Sequence, residues 1–162
     1  MNGYFDANAT TPLHPAARHA WISAPWQNPS SLYASAARAR EELEDCRQRL
    51  ADFLACEPED LIFLSGATEA NNAVLAHFAA KRGKVAVSAI EHPSMREPAA
   101  GAVLIPALET GCTCLDSLHA LLAASDPPSV VSLMAANNET GVIQPWREAL
   151  EMCRRKGIPF HC

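Results

Sequence analysis

The sequence predicts an α/β fold in three layers, with a mostly parallel sheet covered by helices on both faces. From residue 61 onward, short apolar runs of strand length alternate with segments whose apolar residues recur at helical spacing. Turn residues separate these segments, and alternation of this kind is typical of parallel sheets. The predicted strands are residues 61–64, 84–88, 102–105, 129–134 and 158–162, and the helices between them are residues 68–82, 93–100, 115–124 and 145–156.

The first 60 residues predict an arm followed by helices. Residues 1–14 favour turns because Asp, Asn, Thr and Pro are frequent there. Pro15 can begin a short helix that runs to about Ser23, and a loop follows. A long helix is predicted from about residue 31 to residue 55, because its apolar side chains recur at helical spacing.

Length and composition limit the class of protein. The 162 residues suit a single domain, in which residues 1–60 form the amino-terminal arm and helices and residues 61–162 form a partial α/β domain. A hydrophobic fraction of 49% with 19% charged residues indicates a globular protein, and the net charge of -5 gives no reason to expect a nucleic acid partner. We expect a cytoplasmic protein, because the sequence shows neither a membrane span nor a signal peptide pattern.

The spacing of the six cysteines matches no standard zinc pattern, so we expect no metal site. Cys112 and Cys114 are close enough in sequence to be a redox or metal pair, or two ordinary thiols. Cys46 and Cys153 fall on the apolar faces of predicted helices, where we expect small buried side chains.

Residues 61–72 predict a binding site for an anion. An apolar run ends at the turn signal Ser65-Gly66, and a helix pattern follows. The first N–H groups of a helix lack partners and carry partial positive charge, and Ser65 and Thr68 add hydroxyl donors. A phosphate could bind there, although an ordinary capped helix has the same local pattern. Glu69 stands near the position of a Walker lysine, so the segment is not a P-loop.

Two further turns should lie at the same edge of the sheet. His92 follows the predicted strand 84–88, and Asn137 and Asn138 follow the strand 129–134. Taken singly, His92 is more simply a solvent-facing loop residue, and the two asparagines form a plain turn. Because the carboxyl ends of parallel strands meet at one edge, their shared location favours a ligand site.

Five sequence blocks, in order along the chain, resemble the cysteine desulfurases, which are pyridoxal phosphate enzymes of the class V aminotransferase group. The blocks are Asn8–Pro12, Asn28–Ser31, Ser65–Asn72, Glu91-His92 and Asn137–Pro145. They touch nearly the whole chain, which looks like the amino-terminal portion of such an enzyme. The resemblance implies that the fold is an incomplete large domain of the pyridoxal phosphate-dependent transferase type.

The resemblance also implies a role for individual residues. The backbone N–H groups of Ala67 and Thr68, with the Thr68 hydroxyl, would hold the phosphate of the cofactor. His92 would stack on the pyridine ring and is the one candidate catalytic residue. Asn138 would hydrogen-bond near the phenolic oxygen and the substrate, and Asn8 would border the substrate pocket.

The activity implied by the resemblance is the conversion of L-cysteine to alanine, with the sulfur passing to an enzyme cysteine as a persulfide for iron–sulfur cluster assembly. The family needs a lysine that forms a Schiff base with the cofactor, but Lys81, Lys84 and Lys156 lie near the wrong ends of their predicted elements. Cys162 stands where the family has an ordinary strand residue, so it is not the sulfur acceptor. We therefore expect this chain alone to be inactive and to bind pyridoxal phosphate weakly and without a covalent link.

Family members are homodimers that dock scaffold proteins. The resemblance thus implies a homodimer, a complementing carboxy-terminal chain, or a scaffold that accepts sulfur. The alternative is a non-catalytic protein, or a subunit of a split enzyme, that acts through assembly.

Overall fold

A computed structural model describes residues 3–80, 83–99 and 101–162. The chain divides into two units, Met1–Phe63 and Leu64–Cys162. The single domain expected from the sequence stays a prediction. Among the helices of the described residues, none is long and apolar enough to cross a bilayer.

In its described residues, the first unit contains two helices and a single 3₁₀ turn. Helix α1 spans Pro15–Ser23, as predicted, and the His14 ring accepts a hydrogen bond from the Ala16 N–H at 3.2 Å, which caps the helix. Helix α2 spans Ala34–Leu54, and the 3₁₀ turn spans Pro58–Asp60. Ala55 ends α2 in the left-handed conformation, with φ of 54°, which lets its N–H reach the carbonyls of the last turn.

The second unit contains a parallel sheet with strand order β2-β1-β3-β4. The strands are β1 (Val85–Ser88), β2 (Val103–Ile105), β3 (Val130–Ser132) and β4 (Phe160–His161). The helices are α3 (Ala67–Ala80), α4 (Pro93–Arg96), α5 (Leu115–Leu122) and α6 (Trp146–Arg155). The predicted α/β class with a parallel sheet is confirmed. The predicted helix ends at residues 81–82 and 100 fall outside the described residues.

Helices cover both faces of this sheet. Side chains along a strand point alternately to its two sides, so successive residues of β1 pack in different cores. On one face, Val85 and Val87 of β1 pack with Leu75 of α3 in a core that also includes Met95 and Val130. On the other face, Ala86 belongs to a core of residues from β2, β3, α5 and α6. Its buried members are Ala86, Ile105, Leu118, Leu122, Val131, Leu133, Ala149 and Cys153.

Two sequence predictions of burial or pairing are wrong. Residues 61–64 do not form a strand of the described sheet, and Ile62 is 78% exposed. A strand exists through hydrogen bonds to a neighbouring strand, which an apolar run alone does not guarantee. Cys46 is exposed, whereas Cys153 is buried as predicted. Periodicity marks the face on which Cys46 lies, but burial requires another element against that face.

Candidate functional site

The candidate site lies at the carboxyl edge of the sheet in the second unit. From β1 the chain moves outward to β2 and then returns to β3 on the other side of β1. The helices that follow β1 and β3, which are α4 and α6, pack in different cores on opposite faces. Their connections therefore diverge at this edge, and such a switch point is where open parallel sheets bind ligands.

Hydrogen bonds tie the two connections together. The carboxylate of Glu91, after β1, accepts a bond from the backbone N–H of Met134, after β3. The amide of Asn137 donates to the carbonyl of Ile90 at 3.2 Å. Burial raises the pKa of the Glu91 carboxyl, and the bond from Met134 opposes that shift. These contacts place the segment that contains Asn137 and Asn138 beside the segment that contains His92.

Asn137 organises its own turn as well. Its side-chain oxygen accepts bonds from the N–H groups of Glu139 and Thr140, at 3.0 and 2.9 Å, and from the Thr140 hydroxyl at 3.1 Å. An asparagine that bonds to the backbone two or three residues later is a turn former. Asn138, the predicted ligand residue, is exposed on the turn that Asn137 fixes. The plain turn that the sequence predicts for Asn137 taken singly is therefore present.

The predicted phosphate seat is the first turn of α3, which begins at Ala67 and Thr68. Both residues are exposed, and the first N–H groups of a helix have no partner in a preceding turn. The N–H and the hydroxyl of Ser65 both donate to the Glu69 carboxylate, each at 2.7 Å. The bond from the Ser65 hydroxyl is the main reason why the pKa of Glu69 is lowered. The Ser65 donors expected for a ligand therefore hold the turn itself.

His92 lies immediately before α4 and is linked to α3. Its ring Nδ1 accepts a bond from the Ser94 N–H at 3.1 Å and lies 2.8 Å from the Ser94 hydroxyl. That hydroxyl accepts a bond from the side-chain amide of Asn71, on α3, at 2.9 Å. Two hydrogen-bond contacts between side chains thus connect α3, the helix that begins at Ala67, with the imidazole of His92.

Within the second unit, hydrogen bonds connect the segments that carry the predicted residues Ala67, Thr68, His92 and Asn138, through neighbours of these residues. Asn8 lies in the other unit, so its proposed place at the substrate pocket stays a prediction. Two clefts of the second unit lie elsewhere. One measures about 340 Å³ and is lined by α3 and Ala99, the other measures about 510 Å³ and lies beside Cys112 and Cys114, and neither is lined by His92 or Asn138.

The sequence analysis missed a buried polar cluster near this edge. The Gln144 side-chain oxygen accepts from the N–H and the hydroxyl of Thr113, at 2.9 and 3.1 Å, and its amide donates to the carbonyls of Gly111 and Val142, at 3.0 and 3.3 Å. The Thr113 hydroxyl is also within 3.1 Å of the Ser88 hydroxyl, at the end of β1. Gln144 therefore connects the segment before α5 with the segment before α6.

The lysines that the structure describes lie away from the site. Lys84 lies just before β1, where it forms an ion pair with Asp126, and Lys156 caps the end of α6. Both are at the edge opposite the carboxyl ends, and Lys81 falls outside the described residues. Cys162 is an exposed residue, and partial burial of its sulfur and the charge of Glu91 raise the pKa of its thiol. In the described parts of the chain, no group of three or more His, Cys, Asp or Glu side chains could hold a metal ion.

Comparisons with known proteins agree on one family. The aminotransferase class-V family matches residues 3–162. An IscS-like cysteine desulfurase of Mycobacterium tuberculosis is 32% identical and human selenocysteine lyase is 33% identical, over 98% and 88% of this chain. These alignments span only 44% and 39% of the two relatives. Among solved structures, a NifS-like protein from Rickettsia africae matches with a TM-score of 0.87 at 32% identity, covering 98% of this chain and 46% of that one.

Proposed function

This chain belongs to the class-V aminotransferase family, and we propose that it holds pyridoxal phosphate as part of a cysteine desulfurase-like protein. The observation that supports the proposal is that hydrogen bonds link α3 to His92 through Ser94, and the segment of His92 to the turn that carries Asn138. Because the chain spans less than half the length of the relatives it matches, the conversion of L-cysteine to alanine with sulfur transfer belongs to the proposal.

The residues present fit a phosphorylated pyridine. The N–H groups of Ala67 and Thr68 and the Thr68 hydroxyl can bind the phosphate dianion, aided by the dipole of the 14-residue helix α3. The Glu69 charge would repel that dianion, but its carboxylate is directed to Ser65. The flat ring of His92 can stack on the pyridine, and the Asn138 amide can bond to a phenolic oxygen or to the substrate.

These residues bind and orient, and they leave the covalent chemistry to other groups. Pyridoxal phosphate, when bound, supplies an electron sink for carbanions formed from amino acids. Lys84 and Lys156 lie at the opposite edge of the sheet, so this chain alone should not release sulfide from cysteine. The lysine and the sulfur-accepting cysteine would come from a complementing chain or segment, and the pathway served would be iron–sulfur cluster assembly.

Calorimetric titration of the chain with pyridoxal phosphate, beside pyridoxal as the ligand without phosphate, tests the proposal. We expect weak binding of the phosphorylated form and much weaker binding of pyridoxal. Thr68→Ala should lower the affinity about tenfold, because a hydrogen bond to a charged group contributes about 1.5 kcal/mol. The matched control Ser125→Ala removes an exposed hydroxyl far from α3 in sequence and should leave the affinity unchanged. Equal affinities for the two ligands, or for Thr68→Ala and the wild type, would contradict the proposal.

A second candidate function is assembly with another polypeptide. Several large apolar side chains of the first unit are exposed, among them Trp21 at 76%, Trp26 at 88% and Leu32 at 100%. Such side chains are typical of surfaces that pair, so the partner would be a second copy, a complementing carboxy-terminal chain or a scaffold that accepts sulfur. Light scattering should show an oligomer that Trp26→Lys dissociates and that the control Gln48→Lys, at an exposed position of α2, leaves intact. A monomeric wild-type chain would contradict self-assembly.

A further inference from the structure

We propose that Asn71 and Ser94 are positioning residues that fix the tautomer of His92, so that its neutral ring carries the proton on Nε2. The inference rests on the proposed function only for its use, which is to direct one ring N–H of His92 toward a bound ligand. The hydrogen-bond directions themselves follow from three contacts within the second unit.

The first step concerns Nδ1 of His92. The backbone N–H of Ser94 lies 3.1 Å from this nitrogen and can only donate. Nδ1 must therefore offer its lone pair, which leaves Nε2 as the protonated nitrogen of the neutral ring. The tautomer follows from the one partner in this cluster whose role cannot be reversed.

The second step concerns the Ser94 hydroxyl, which has a single proton. The Asn71 amide nitrogen donates to this oxygen at 2.9 Å, so the hydroxyl uses a lone pair on that side. Its proton is then free to point at Nδ1, 2.8 Å away. Nδ1 thus accepts two hydrogen bonds, and protonation there would break the bond from the Ser94 N–H and reverse the bond from the Ser94 hydroxyl.

The consequence is a ring that exchanges protons only at its other nitrogen. His92 is exposed, whereas Asn71 and Ser94 are half-buried, so Nε2 is the ring atom available to a ligand. Two elements hold the ring in this state, because Asn71 lies on α3 and Ser94 on α4. The proposed phosphate seat is the first turn of α3. This helix therefore positions both the seat and, through Asn71, the ring of His92.

Imidazole ¹H–¹⁵N correlation spectra of the uniformly labelled chain test the inference without any cofactor. His92→Gln identifies the His92 signals among those of the six histidines. In the wild type we expect an unprotonated Nδ1 whose resonance is moved upfield by two donors. Ser94→Ala removes one donor, so this resonance should shift downfield, whereas Ser94→Thr keeps the hydroxyl and should restore the wild-type position.

Asn71→Asp is the sharper variant, because a carboxylate can only accept from the Ser94 hydroxyl and draws its proton away from Nδ1. It should reproduce the downfield shift of Ser94→Ala, while Asn72→Asp, on the neighbouring position of α3, should not. A wild-type ring protonated on Nδ1, or an Nδ1 resonance that moves in none of these variants, would overturn the inference. Because these samples contain no pyridoxal phosphate, the spectra test the tautomer of His92 alone. A negative result would leave the proposed cofactor site to the calorimetric test.

Discussion

The carboxylate of Glu91, after β1, accepts a hydrogen bond from the backbone N–H of Met134, after β3. Glu91 is only 9% exposed, and burial raises the pKa of its carboxyl. The two segments that hold His92 and Asn138 are therefore joined through a buried acid, whose charged form is penalised by the loss of water.

Replacing Glu91 should change how stability depends on pH. A raised pKa in the folded state means that the stabilising contribution is present at low pH and is lost as the pH rises through the folded pKa. Glu91→Gln keeps an acceptor for Met134 and removes the charge, so it should be more stable than the wild type at neutral pH. The difference should shrink toward acidic pH, as measured by urea unfolding across this range.

Glu91→Ala is the control, because it removes the charge and the acceptor together. It should be less stable than Glu91→Gln at every pH, since the Met134 N–H is left without this partner. A Glu91→Gln protein that is less stable than the wild type at neutral pH would show that the charge itself holds the two segments.

Replacing Gln144 should lower the free energy of unfolding more than replacing most other polar residues. Gln144 is 3% exposed, and Gln144→Ala would orphan the Thr113 N–H and the Gly111 carbonyl. We expect a loss of about 3 kcal/mol in the free energy of unfolding, because each unsatisfied buried group costs about 1–3 kcal/mol. The exposed Gln48 of α2 offers a matched control, and Gln48→Ala should cost less than about 0.5 kcal/mol. Equal losses in the two variants would show that the Gln144 cluster is not buried in solution.

Gly83 should not tolerate a side chain. A Cβ at this position would lie 2.2 Å from the Ser129 Oγ and 2.4 Å from the Ser129 Cβ. Gly83→Ala should therefore lower the free energy of unfolding by about 1–3 kcal/mol, the usual cost of overpacking. A double-mutant cycle with Ser129→Gly isolates the clash, because the penalty of Gly83→Ala should largely vanish in that background. Additive effects in the cycle would place the cause elsewhere.

Cysteine reactivity should separate Cys114 from Cys153. The Ser117 hydroxyl donates to the Cys114 sulfur and lowers the pKa of that thiol, whereas burial raises the pKa of Cys153 to about 11. In brief iodoacetamide labelling at neutral pH followed by peptide mass spectrometry, Cys114 should react in the folded protein and Cys153 only in urea. Ser117→Ala should slow the labelling of Cys114. Labelling of Cys153 at the same rate in folded and unfolded protein would contradict its burial.

Much of the fold was predictable, because local signals and tertiary packing agree in most elements. Pro15 begins α1 as expected from its fixed φ, and the Val-rich segments at residues 85–88 and 130–132 form strands. Parallel strands also have one carboxyl edge, so the grouping of His92 with the turn at Asn137 followed from the order of the elements.

The remaining features depend on partners that no local pattern reveals. The apolar run at residues 61–64 looks like a strand, but pairing decides whether a strand forms. Ser65 has donors that could bind a ligand, yet its N–H and its hydroxyl both donate to the carboxylate of Glu69, one helical turn later. Gln144 is polar and was overlooked, because its burial arises from segments about 30 residues away.

The sheet of the second unit also acts as a partition. Val130 and Val131 are neighbours in β3, but the first belongs to the core with α3 and α4 and the second to the core with α5 and α6. A volume change at either valine therefore acts first on the layer that its side chain contacts. Substitutions that repack one layer can thus be chosen without changing a side chain of the other, and both sets act on loops that leave the same strands.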